Sequence, residues 1–354
     1  MTLLDHLVQR IQSDGPITVA DYMADCLLHP TQGYYATRDP FGADGDFVTA
    51  PEISQMFGEL LGLSLAQCWL DHGRPSAFTL AELGPGRGTL MADALRACAA
   101  VPGFLDAVDI VLLEASPKLR TLQAETLPDA RWIEHVGDLP QAPLFLVANE
   151  FFDALPIRQF QRGDTGWSER LIGLSDTGQL CFGLGAEVDQ PALAHRLEDT
   201  RPGDIVESCA AASPIVHEIA SRIAQHGGAA LLIDYADWRA LGDTFQAVQA
   251  HAVADPLSMP GHADLTAHVD FETLAITAQT AKAAYTRLTP QGVFLERLGI
   301  TARAQTLAKN STGEAAENLI SAHRRLTHPD EMGNLFKVLG IYSPDQSPPP
   351  GLNA

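Results

Sequence analysis

The chain has no uninterrupted apolar run of about 18 residues, the length a membrane-spanning helix needs. Basic residues are scarce: 23 Lys and Arg stand against 44 Asp and Glu, a formal net charge of −21. That balance opposes non-specific nucleic-acid binding, which needs clustered cations to displace counterions from phosphates. No nucleic-acid partner is expected, and the charge reads as a solubility device. Cysteine is sparse and unpatterned. Cys26, Cys68, Cys98, Cys181 and Cys209 are odd in number, and no pair has metal-ligand spacing. They read as reduced thiols. The start, Met1-Thr2-Leu3-Leu4-Asp5-His6-Leu7-Val8, is amphipathic. It lacks the basic lead and long apolar core of a signal peptide, and it is not arginine-rich like a transit peptide. A cytoplasmic protein is the expectation. No internal repeat is visible.

What the chain does have is a large apolar fraction, 46% of its 354 residues against 19% charged. That is enough for a sizeable core in one large or two ordinary domains. Its most informative stretch is Glu82-Leu83-Gly84-Pro85-Gly86-Arg87-Gly88-Thr89. An apolar, strand-like run over 78–83 leads into it, and a helix-like run follows from Leu90. A strand, a glycine-rich turn and a helix N-terminus make a nucleotide-binding corner, where the backbone approaches a ligand closely. The dinucleotide fingerprint would need glycine where Thr89 stands. The acidic, shorter form Glu-x-Gly-x-Gly-x-Gly points instead to S-adenosylmethionine. Glu82, Gly84, Gly86 and Gly88 are therefore cofactor-binding candidates. A second buried-strand pattern ends in Glu114, 32 positions after Glu82. A carboxylate there suits the two ribose hydroxyls. Ser116-Pro117 then opens a helix as N-cap and first residue.

Strand and helix patterns alternate from residue 76 to about 160, with strands near 78–83, 109–114, 131–134 and 144–148. Such alternation implies an α/β fold with a mostly parallel sheet covered on both faces. Ligands then sit beyond the carboxyl ends of the strands, where Glu82, Glu114, Asp138, Asn149 and Glu150 all fall. Residues 1–75 read as a helical segment and possible lid, with Pro51 opening a helix that runs to about Asp71. Residues 76–342 read as the main domain, with an inserted subdomain near 160–210 and helical additions near 260–330. A hairpin is expected around Ser175-Asp176-Thr177-Gly178. The proline-rich 343–354 reads as a flexible tail.

Together the motifs resemble the MidA-like S-adenosylmethionine-dependent methyltransferases, which include a mitochondrial complex I assembly factor that methylates arginine. The resemblance spans roughly residues 33–341. Its marks are Gly45-Asp46-Phe47-Val48-Thr49-Ala50-Pro51-Glu52-Ile53-Ser54-Gln55, the glycine loop, and Asn149-Glu150-Phe151-Phe152-Asp153-Ala154-Leu155-Pro156. Further marks are Pro260-Gly261-His262-Ala263-Asp264-Leu265-Thr266 and Met332-Gly333-Asn334-Leu335-Phe336. The resemblance implies a Rossmann-like methyltransferase core, S-adenosyl-L-methionine as cofactor, and a protein substrate carrying a target arginine, such as a complex I subunit. A homodimer is a further expectation.

Arginine stays protonated near neutral pH, so a site that methylates it should hold the cation in a carboxylate fork. Glu150 and Asp153 are the first candidates, sharing a face if 151–155 turns helically, with Glu207 as a third acid. The alternative for the pair is helix-start capping. Asn149 is counted with the cofactor-binding residues. Asp138 reads either as partner of the adenine amino group, with Leu139 against the ring, or as a turn residue. Gln55 either touches the cofactor beneath a lid starting at Gly45 or simply packs. His262 and His268, near Asp264 and Asp270, read as loop hydrogen-bonders rather than metal ligands. Competing readings are a non-catalytic assembly partner on the same fold, a small-molecule methyltransferase, and an NAD-dependent oxidoreductase, the last disfavoured by Thr89.

Overall fold

The structure, a computed structural model, describes residues 1–37, 49–249, 252–309 and 311–354. Its centre is a sheet built on six main strands: β1 (Phe78–Leu83), β2 (Val108–Leu113), β3 (Arg131–Ile133), β4 (Leu144–Asn149), β5 (Gly228–Tyr235) and β6 (Phe336–Tyr342). From β3 the order runs β2, β1, β4, β5, β6, and ends on the short strand Ala284–Tyr285. β1 to β5 pair in parallel, and β6 runs antiparallel to β5 from Ala229↔Tyr342 to Tyr235↔Phe336. β1 and β4 are buried at every position. Their continuous apolar runs reflect a sheet covered on both faces.

Side-chain alternation along each strand sorts those faces into two cores. Leu80, Phe145 and Leu231 pack with Phe57, Leu61 and Trp69 of the helix Gln55–Asp71. Ala81, Leu146 and Leu232 pack with Val216 and Ile219 of the helix Ala212–His226 and Leu274 of Phe271–Thr280. The chain winds from β1 out to β3, then returns to the other side of β1 as β4. A crevice opens beyond the carboxyl ends of two strands where such winding reverses, here β1 and β4.

Residues 3–34 and 50–71, grouped as one helical segment from sequence, belong to different cores. The earlier stretch pairs Ile17 and Thr18 with Ile172 and Leu171 of the inserted sheet, and buries Leu7, Tyr22 and Met23 against Ile157, Ile172 and Leu265. The helix expected from Pro51 is broken. Ala50–Ile53 stops at Ser54, whose backbone is extended and whose hydroxyl accepts from Met56 N to start the next helix. The hairpin forms as expected, with Gly178 at φ 77° in its turn. The tail is not loose. Leu352 is buried, Arg287 N donates to Asn353 O, and Ser64 Oγ donates to Pro350 O. A three-stranded sheet, Ala252–Ala254, Gln246–Gln249 and Asp264–Thr266, stands over the crevice.

Candidate active site

The β1 strand ends in three glycines with φ of 62°, 55° and 82° at Gly84, Gly86 and Gly88. A Cβ at Gly84 would sit 3.0 Å from Phe151 Cδ2, so the loop is pressed against the chain leaving β4. The helix Thr89–Cys98 begins directly at Gly88 without a side-chain cap. Its first N–H groups and the helix dipole suit an anion. Thr89 Oγ1 donates instead to Glu52 Oε1 at 2.5 Å, tying the helix to the short Ala50–Ile53 segment.

Beyond the loop lies a cavity of about 590 Å³. Glu82 borders it from the end of β1, 3% exposed, with Oε2 lacking any partner. Burial lifts its carboxyl to about 8, against the opposing pull of the Met91 N–H. Glu114, just past β2, is the second wall. Ser116 N donates to its Oε1 at 2.7 Å and Gln123 Nε2 to its Oε2 at 3.1 Å. Burial raises its affinity for a proton and these donors oppose the rise. Gln123 was not singled out from sequence. Fully buried, it also donates to Gly86 O at 2.7 Å and accepts from Trp132 Nε1. One amide thus fixes the glycine loop to Glu114, and only its position on a helix facing both could have marked it.

The third wall is the turn after β4. Glu150 has φ 51°, a left-handed backbone rare for a non-glycine residue. The expected helical turn over 151–155 is absent, because Glu150 leaves the strand in this bend and residues 151–155 form non-helical turns. Glu150 and Asp153 nevertheless both border the cavity. Glu150 Oε1 accepts from Ala50 N and Asn149 Nδ2, both at 3.0 Å. Asp153 is 5% exposed with Oδ1 unpartnered. Burial, then Asp234, Asp264 and Glu150, holds its carboxyl well above the ordinary range. Asp234, at the end of β5, accepts from Phe152 N at 3.0 Å and Asp153 N at 3.3 Å and so pins the bend. Asp264 borders the cavity from the small sheet and accepts from Tyr35 at 2.9 Å. Tyr235 borders it too, with its ring edge-on to His268. Asp264 lay within a stretch noted in the sequence, but only tertiary contact joins it and Tyr35 to Asp153.

The structure brings Glu82, Gly84, Gly86, Glu114, Asn149, Glu150 and Asp153 to one cavity. Gly88 stands behind the loop, its Cα side facing Leu127. Four other candidates lie elsewhere. Gln55 faces a small groove with Leu307 and Leu319 and donates to Glu59. Asp138 is exposed and Leu139 sits in the core, because Arg222 binds the carbonyls of Gly137 and Leu139 and draws their turn onto the helix Ala212–His226. Glu207 is engaged by Gln159 and Thr244 on the inserted sheet and does not border the cavity. The proposed lid residues Gly45, Asp46 and Phe47 lie outside the described residues.

The donor set fits a ligand with a carboxylate, an ammonium and a ribose diol. The helix start suits the first, and the unpartnered Glu82 oxygen and the Glu114 carboxylate can accept from the others. Comparison with known proteins agrees. A family model described as S-adenosyl-L-methionine-dependent methyltransferase matches residues 60–289. The chain is 39% identical to the Xenopus laevis protein arginine methyltransferase NDUFAF7, mitochondrial, over 96% of this chain and 84% of that one. It is 38% identical to the Homo sapiens protein of that name, over 96% and 83%. A COG1565 superfamily member from Burkholderia thailandensis, bound to S-adenosyl-homocysteine in its crystal structure, superposes with a TM-score of 0.83 at 29% identity, covering 99% of this chain and 92% of that one. The chain belongs to this family of S-adenosylmethionine-dependent methyltransferases, with the Rossmann-like core and the cofactor expected from sequence. The expectation of a cytoplasmic protein is overturned, since these curated relatives are mitochondrial proteins by name.

Proposed function

We propose that this methyltransferase modifies a guanidinium nitrogen of an arginine in another protein. The observation that carries the reading is the acidic wall formed by Glu150, Asp153 and Asp264 beside the glycine loop. Among the described residues, Arg87 and His268 are the basic side chains bordering the cavity, against Glu52, Glu82, Glu114 and those three acids. Buried carboxylates repel one another and take up protons unless a cation joins them. A planar guanidinium meets two carboxylates at once, which an ammonium does less well. The relatives named as arginine methyltransferases support the same acceptor. The resemblance to a complex I assembly factor makes a complex I subunit the first acceptor to test, and light scattering tests the expected homodimer.

S-adenosylmethionine, when bound, would supply an electrophilic methyl group on a sulfonium, whose carbon–sulfur bond gives way as the nitrogen–carbon bond forms and leaves neutral S-adenosyl-homocysteine. Gly84 to Thr89, Glu82, Glu114 and Asn149 are assigned to holding it. Glu150 and Asp153 orient the arginine, and much of the rate enhancement comes from that positioning. The attacking nitrogen sheds one proton as its new bond to carbon forms. Asp153, whose proton affinity burial has raised, accepts it and passes it to solvent through the cavity.

Glu150→Gln and Asp153→Asn should bind S-adenosyl-homocysteine as the parent does and lose most turnover, by about 100-fold or more. Calorimetry and a labelled-methyl assay read the two quantities separately. Parental turnover in both variants would remove the fork.

A further inference from the structure

The short helix Ala50–Ile53 bonds to both halves of the site. Ala50 N donates to Glu150 Oε1 at 3.0 Å, reaching the acidic turn after β4. Two residues on, Glu52 Oε1 accepts from Thr89 Oγ1 at 2.5 Å, at the first residue of the helix after the glycine loop. That helix is a fixed frame. A Cβ at Gly58 would fall 2.8 Å from Leu90 O, and one at Gly62 2.6 Å from Ala94 Cα, so it lies tightly on the helix Gln55–Asp71. Arg96 closes the pair through Glu59 at 2.6 Å. The Ala50–Ile53 segment is separated from this frame by the extended backbone at Ser54. It has its own small turn, in which Glu52 N and Ile53 N donate to Thr49 O, and it buries Ala50 in the core. Asn149 Nδ2 also donates to Glu150 Oε1, but Asn149 belongs to the strand that Glu150 leaves. Ala50 N therefore supplies the bond that refers the Glu150 carboxylate to another element.

We propose that Glu52 is a positioning residue for methyl transfer: bonded to Thr89, it holds the Ala50 N–H where that group fixes the Glu150 carboxylate relative to the glycine loop. This rests on the reading of Glu150 as an acid that orients the acceptor, and adds how that acid is registered to the methyl donor. Cofactor and acceptor are held by segments far apart in the chain, yet transfer needs their reacting atoms aligned within a fraction of an ångström. A carboxylate at the end of a flexible side chain swings, whereas a backbone N–H in an anchored turn does not. Each half of the site still binds its own ligand when the tie is cut. The chemical step, which needs both halves in register, suffers.

Substitutions at Glu52 and Glu150 in the full chain test it. Transfer is read as single-turnover incorporation of label from saturating S-adenosylmethionine into a protein lysate lacking this chain. Cofactor affinity is read by calorimetry with S-adenosyl-homocysteine. Glu52→Ala should lower the transfer rate about tenfold and leave the dissociation constant little changed. Glu52→Gln, whose amide oxygen still accepts from Thr89, should stay close to the parent rate. Added to Glu150→Gln, Glu52→Ala should cost little more, because it acts through that one side chain. Should Glu52→Ala fold poorly, Thr89→Val breaks the same bond from the other side, with Thr89→Ser as the variant that restores it. A parental rate in Glu52→Ala, an equal loss in Glu52→Gln, or a loss confined to cofactor affinity overturns the positioning role and leaves the arginine reading standing. A parental rate in Glu150→Gln overturns the role of Glu150 and the positioning of it together.

Discussion

Glu82 shows what a single buried side chain does here. Its carboxyl is lifted to about 8 by burial, above its unfolded value of 4.5. The stability it contributes is therefore complete below pH 4.5 and is lost as pH rises through about 8. Glu82→Gln should remove that loss. At about 1.4 kcal/mol per pKa unit the gain at high pH is on the order of a few kcal/mol. Urea unfolding of both proteins at pH 5 and pH 8.5 checks it. The variant should overtake the parent at the higher pH, and parallel pH profiles would show that Glu82 is not strained in the empty site. The same substitution should weaken cofactor binding, so stability and function pull in opposite directions at this residue.

At the scale of elements, the glycine loop, Glu114 and the helix Pro117–Thr126 act together through Gln123. Glu114→Ala should weaken S-adenosyl-homocysteine binding by ~1.5–3 kcal/mol, the value of a charge-assisted hydrogen bond. Gln123→Leu removes the amide's bonds to Gly86, Glu114 and Trp132 while leaving the Glu114 side chain in place, and should weaken binding about tenfold, with a smaller change if Ser116 alone suffices to aim the carboxylate. Calorimetry on the pair and on the double variant measures their coupling. Local pattern made these elements legible. The strand 78–83, the Ser116-Pro117 helix start and the hairpin at Gly178 all follow from residue chemistry confined to a few positions. Where the structure departs from the local pattern, the cause lies outside that window. Arg222 is 83 residues from Leu139 yet decides which way the Asp138 turn faces. The helical turn expected after Glu150 is displaced by a left-handed bend that Asp234, on another strand, holds in place.

At the scale of the whole described chain, the first and last segments both pack into the fold. The first helices complete the core of the inserted sheet, and the last residues pack onto β6 and the helix Gln291–Arg297. Removing residues 344–354 should therefore lower stability by ~2–4 kcal/mol, chiefly through Leu352 and its apolar surroundings. Chemical denaturation checks it, and an unchanged midpoint would mean the tail only rests on the surface. Sequence patterning made the sheet and the glycine-loop end of the cavity legible, because both rest on contiguous motifs. The acidic wall and its supports gather Tyr35, Glu150, Asp153, Asp234 and Asp264 from four separate regions of the chain, which no contiguous motif encodes. The most direct measurement is mass spectrometric mapping of the methyl group after transfer from labelled S-adenosylmethionine into a lysate lacking this protein. The label should appear on an arginine guanidinium nitrogen of a protein and vanish with Asp153→Asn. Label on lysine, on oxygen or on a small metabolite would contradict the assignment.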